Sequence, residues 1–210
     1  DDNESTNTLP LLLGEAPMQT LSHLHMSLGD MAKLAKGVQA QDALISYEDI
    51  GNWGNNGEPA ANNTDQDYIA VTAINEFDIS GLNASDTSVP VVLPLPFGES
   101  IPADAIYRKF IPESGWFDFV VNANNALDSA MKTFDGNCPQ PDSTDYQSGL
   151  QPGMECIRLV IEDGGPNDAD GSKNGVVKDP GVLVVENTNL APQVSLTLNV
   201  SDVTENTSAT

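Results

Sequence analysis

From Tyr68 onward the chain is a succession of short runs rich in Val, Ile and aromatic residues, each bounded by Gly, Pro, Asn or Asp. The runs are YIAVTAINEFDISGL, VPVVLPLPF, AIYRKFI, GWFDFVV, CIRLVIED, NGVVKD and VLVVEN. Strands this short, at such spacing, predict an all-β fold: an antiparallel immunoglobulin-like or jelly-roll-like sandwich. Near the end, VSLTLNVSDVTE places Val194, Leu196, Leu198 and Val200 on one face and polar residues on the other. That alternation predicts one amphipathic strand with no partner after it in the chain. Ahead of the strands, residues 20–37 carry Leu21, Leu24, Leu28, Met31 and Leu34 at spacings of three and four. This predicts an amphipathic helix, with Gly29 and Asp30 offering a break and a new cap, ended by Gly37.

The pattern divides the chain into three. Residues 1–64 form an N-terminal extension containing the helix at about 20–37, and a Gly/Asn loop at 51–67 marks its boundary. Residues 65–187 form the sandwich. Residues 188–210 form a C-terminal strand that links to, or is donated to, another unit. The chain starts at Asp1 rather than Met, which reads as a processed product or a fragment.

PVVLPLPFGESIPADAIYRKF (90–110), GWFDF (115–119) and IEDGGPNDADGSKNGVVKDPG (161–181) together resemble a choice-of-anchor module, the U-type most closely. The matching pieces are the proline-punctuated strand, the Tyr-Arg-Lys step, the Trp-aromatic strand, and the Asp/Gly loop leading to Asn-Gly-Val-Val and Asp-Pro-Gly. The resemblance covers about residues 65–185. It implies an all-β extracellular module of bacterial exported surface proteins, without known catalysis. The cysteine-bounded insertion departs from that pattern, and residues 1–64 lie outside it. Separately, Asn189-Leu-Ala-Pro-Gln-Val is similar to the opening strand of cadherin-like or immunoglobulin-like repeats, which implies an adjacent domain of that kind.

Charge narrows the partners. Thirty-one acidic side chains stand against 8 basic ones, a net charge of −23. Such a chain repels nucleic-acid phosphates and anionic membrane surfaces. No window approaches the roughly 18 apolar residues of a membrane span. Charged residues make up only 19% of the chain, below the roughly 25% usual in soluble domains. The surface is therefore rich in Asn, Ser, Thr and Gly, as in many secreted proteins.

Cys138 and Cys156 enclose the turn-rich PQPDSTDYQSGLQPGME. In an oxidising compartment the expected product is one disulfide; two buried thiols are the alternative. The loop from Asp163 to Asn174 sets oxygen ligands between glycines, a composition suited to Ca²⁺. Asp163, Asn167, Asp168 and Asp170 are the first candidates, with Asn174 and Asp179 behind them; a solvated Asp-Gly turn is the plain alternative. The loop has no terminal Glu and no flanking helices, so it is not an EF-hand. Asp65 and Asp67 form a second, weaker acidic candidate. His23, His25 and Met26 offer copper-type ligands, but on a helix His23 and His25 would point apart, so packing is the better reading. Tyr107-Arg108-Lys109 reads as an alternating strand, Arg108 facing opposite to its neighbours and paired with acids. Trp53 and Trp116 read as core or loop anchors. No G-x-S-x-G, P-loop or HExxH motif is present. The sequence therefore reads as a non-enzymatic extracellular structural protein, a cell-surface module or self-assembling filament or matrix subunit. The alternative is a Ca²⁺-dependent adhesin or carbohydrate-binding module with a glycan ligand.

Overall fold

The computed structural model describes residues 11–188 other than 14–15, 54–63, 84 and 113. The strand carrying Val194, Leu196, Leu198 and Val200 lies outside the described residues.

Two antiparallel sheets make the sandwich, as the strand pattern predicts. The five-stranded sheet runs in the order β12 (Gln147–Ser148), β11 (Ala126–Ala130), β13 (Cys156–Glu162), β8 (Ser88–Pro94), β3 (Gln19–Thr20). The seven-stranded sheet follows the path β10 (Gly115–Asp118), β9 (Ile106–Ile111), β14 (Val176–Glu186), β7 (Ile74–Ser80), β4 (His25–Leu28). Two short strands extend it: β5 (Leu44–Ile45) pairs with β7, and β6 (Tyr68–Ala70) with β14. A small hairpin joins β1 (Leu12–Leu13) to β2 (Ala16–Pro17). Strands from before residue 65 thus complete both sheets, with Gln19 opposite Val92 and Leu28 opposite Phe77.

β14 is the organising strand. It fuses the two runs NGVVKD and VLVVEN through Pro180-Gly181, and it pairs with β7 on one side and β9 on the other. Proline has no N–H to give a ladder, and pairing with β9 begins at Gly181, just past Pro180. Prolines also blunt β8. Pro90 and Pro94 lie opposite Val160 and Cys156, and beyond them β8 carries only the two-residue β3. A strand that lacks donors at two positions makes a poor template for another chain.

The helix expected over 20–37 is half strand. Residues 25–28 pair with β7, and only α1 (Asp30–Lys36) is helical, starting after Gly29 and ending at Gly37 with φ 90°. Leu24 and Leu28 are buried, Leu28 through its register opposite Phe77 and Leu24 from the turn just before β4, and neither through a helical face. A second helix, α2 (Tyr47–Asn52), follows Ser46, whose hydroxyl and backbone N–H form a reciprocal capping box with Asp49.

Among the described residues the larger of two apolar clusters lies between the sheets. Phe77, Ile79, Tyr107, Val177 and Leu183 of the larger sheet join Val89, Val91, Leu93, Ile157, Leu159 and Ile161 of the smaller one. On the other face of the larger sheet, the Trp116 ring lies 5.3 Å from Phe110 and 5.4 Å from Tyr47 of α2. The Cys138–Cys156 disulfide ties the long 138–156 loop to β13. Arg158 holds the same loop, stacking 4.3 Å from the Tyr146 ring and donating to the Pro141 and Ser143 carbonyls.

Candidate functional site

The Asp-rich loop between β13 and β14 was the foremost candidate from sequence. Its carboxylates turn inward to the loop's own backbone. Asp163 accepts from the N–H groups of Asn174 (3.1 Å) and Gly175 (3.0 Å), closing the loop's two ends on each other. Asp168 accepts from Gly164 (2.9 Å) and Lys178 (3.0 Å). Asp170 takes the Ser172 N–H and the Asn174 side-chain amide. Asn167 is fully buried and bonds both backbone groups of Val120 and the Asn125 side chain. Gly164, at φ 74°, permits this closure: a Cβ there would sit 2.6 Å from the Lys173 nitrogen. Among the described residues no group of three or more His, Cys, Asp or Glu side chains is placed to hold a metal ion. Burial raises the Asp168 carboxyl to about 6, against the pull of the two N–H groups.

Asp179 belongs elsewhere. It and Lys109 have no side-chain exposure, and the Lys109 ammonium contacts Asp179 Oδ1 inside the sandwich. Asp65 is likewise taken. Arg108 grips it with two bonds of 2.8 and 2.9 Å, adds Asp118 at 2.5 Å, and stacks 4.3 Å from the Tyr68 ring. Arg108 faces opposite to Lys109, as the alternation along β9 predicts. His23 lies within 3.3 Å of Asp86 near the surface, and His25 sits on β4.

A further cluster, not singled out from the sequence, lies on the outer face of the larger sheet beneath α1. Gly29 caps this helix without a capping side chain. Glu76 of β7 supplies the missing acceptor, taking the Ala32 N–H at 2.8 Å. The fit needs glycine, because a Cβ on residue 29 would fall 1.8 Å from Glu76 Oε1. Around it, Lys178 lies 3.0 Å from Asp30 and 3.7 Å from Asp78, and Lys33 lies 3.9 Å from Asp78. Burial pushes the Glu76 carboxyl up to about 7, and Asp78 upward as well. The visible signal was a pair of carboxylates two apart within the apolar run INEFDIS. Chemically this cluster is a helix cap held by ion pairs, opening on a groove lined by Trp53, Pro112 and Lys178.

No family model, curated protein or solved structure matches the chain.

Proposed function

We propose that the chain is a non-enzymatic structural module of an extracellular or cell-surface protein, joined to neighbouring copies or to further immunoglobulin-like domains. The observation that carries this reading is where the interior charges go. Lys109 meets Asp179, Arg108 meets Asp65, Arg158 meets Asp128 at 2.7 Å, and the loop carboxylates hold backbone N–H groups. Charged groups arranged in this way fix strands and loops in place. The Cys138–Cys156 disulfide supports an oxidising compartment. No described helix is long and apolar enough to cross a membrane. The residues resembling a choice-of-anchor module fall on β8, β9, β10 and the β13–β14 loop, the framework of the sandwich. This reading does not rest on calcium, because Asp163 and Asp168 hold the loop through backbone N–H groups.

Joining proceeds through the C-terminal strand. Val194, Leu196, Leu198 and Val200 offer one apolar face to a neighbouring sheet. The test is assembly of the purified full chain against the same chain lacking residues 190–210, followed by sizing and electron microscopy. Polymers from the full chain and folded monomers from the truncated one are expected. Polymers that survive truncation would refute strand donation, and a full chain that stays monomeric would refute the assembly reading.

One observation favours the alternative of a glycan-binding module. Phe134 is fully exposed at the rim of a groove lined by Gln19, Thr20, Asn137 and Gln140. That module predicts a saturable glycan ligand on an array, lost on Phe134→Ala.

A further inference from the structure

Lys109 and Asp179 lie 70 positions apart in sequence but on adjacent strands. Lys109 stands opposite Gly181, and Asp179 is two residues before Gly181 on the same face of the sheet. Gly181 has no side chain, which lets the Tyr107 ring close over the site; a Cβ there would lie 2.7 Å from that ring. Phe77, fully buried, stands opposite Asp179 on the other neighbouring strand. Tyr107 and Phe77 thus flank the pair on the same face of the sheet, and neither charged side chain reaches solvent. Asp179 Oδ2 finds no hydrogen-bond partner among the described residues. An ion pair buried on these terms is costly, because both charges lose water and one carboxylate oxygen gains nothing in return.

We propose that Lys109 and Asp179 condense to an isopeptide bond, an amide that links β9 to β14 covalently inside the sandwich. The lone pair of the neutral Lys109 amine attacks Asp179 Cγ and forms the C–N bond. One Nζ proton passes to the departing carboxyl hydroxyl, the C–O bond breaks, and one water leaves. Nothing is oxidised or reduced, and no co-reactant is needed. The fold supplies the reactive states. Burial lowers the Lys109 pKa and raises that of Asp179, each opposed by the partner's attraction, so both neutral forms gain population. It also holds amine and carbonyl carbon together for the life of the folded chain, which turns a bimolecular reaction into a local one. Once formed, the amide is out of reach of hydrolytic water, and the two buried charges are gone.

The test is the intact mass of the purified full chain, reduced and denatured after prolonged storage in the folded state. A mass one water below that of the linear sequence is expected, and tandem mass spectrometry of a digest should show the Lys109 peptide joined to the Asp179 peptide. Lys109→Met should restore the mass of its linear sequence. A wild-type chain with the full linear mass and separate peptides would overturn the proposal. So would a water loss that persists in Lys109→Met. The wild-type result decides the matter even where the variant fails to fold.

Discussion

Replacing Glu76 with Gln should remove a specific part of the protein's pH dependence. Glu76 is 4% exposed, beneath the start of α1. Burial lifts its carboxyl from the ordinary 4.5 to about 7, helped by the charges of Asp78 and Asp30 and opposed by the Ala32 N–H and Lys178. The folded chain therefore holds the proton over a range where the unfolded chain has released it. Stability from this group is complete below about pH 4.5, falls as pH rises through about 7, and is level above that. The rise of about 2.5 pH units, at about 1.4 kcal/mol each, comes to about 3 kcal/mol. Asp78 and Asp168 are also raised and add slopes of the same sign, so the difference between wild type and Glu76→Gln is the informative quantity. Urea unfolding followed by fluorescence of Trp53 and Trp116 supplies it. The variant should gain about 3 kcal/mol on the wild type between about pH 4.5 and about pH 7.5, whatever its offset at low pH. Parallel profiles would mean instead that Glu76 ionises alike in both states.

Other substitutions probe the remaining framework. Gly29→Ala should cost about 2 kcal/mol in chemical unfolding, since its Cβ displaces the Glu76 carboxylate and leaves the Ala32 N–H unpaired. Arg108→Ala should cost about 3 kcal/mol in the same assay, because Asp65 then stays largely buried without its partner. Joint replacement of Cys138 and Cys156 by serine should lower stability by about 3 kcal/mol and open the 138–156 loop to proteolysis. Melting with calcium or with a chelator should coincide, since the Asp163 and Asp168 carboxylates are engaged by backbone N–H groups; a saturable rise in Tm with calcium would reverse that assignment.

The strands that could be read from sequence are those whose residues prefer strands. β8, β9, β13 and β14 are rich in Val, Ile, Leu and aromatics. Ala126–Ala130 reads ALDSA and carries no such preference; it becomes a strand by pairing with β13, where Asp128 lies opposite Arg158 and binds it. The spacing of Leu24 and Leu28 suits a helix, but pairing with β7 overrides it, and the helical period holds only after Gly29. α2 is too short for periodicity to show, though Ser46 and Asp49 carry its capping signal. Oxygen ligands between glycines look alike whether they face a cation or backbone N–H groups, so the loop at 163–174 was legible as a folded unit, while the N–H partners of its carboxylates were not. The Lys109–Asp179 contact was beyond reach, because only the registers of β9 and β14 bring its members together.

Under the proposed function, this chain is a structural module of an external assembly. Electron microscopy of the producing cells, with the chain labelled by a specific antibody, tests it most directly. Label along surface fibres or a surface layer is expected; label confined to dispersed protein inside the cells would overturn the proposed function.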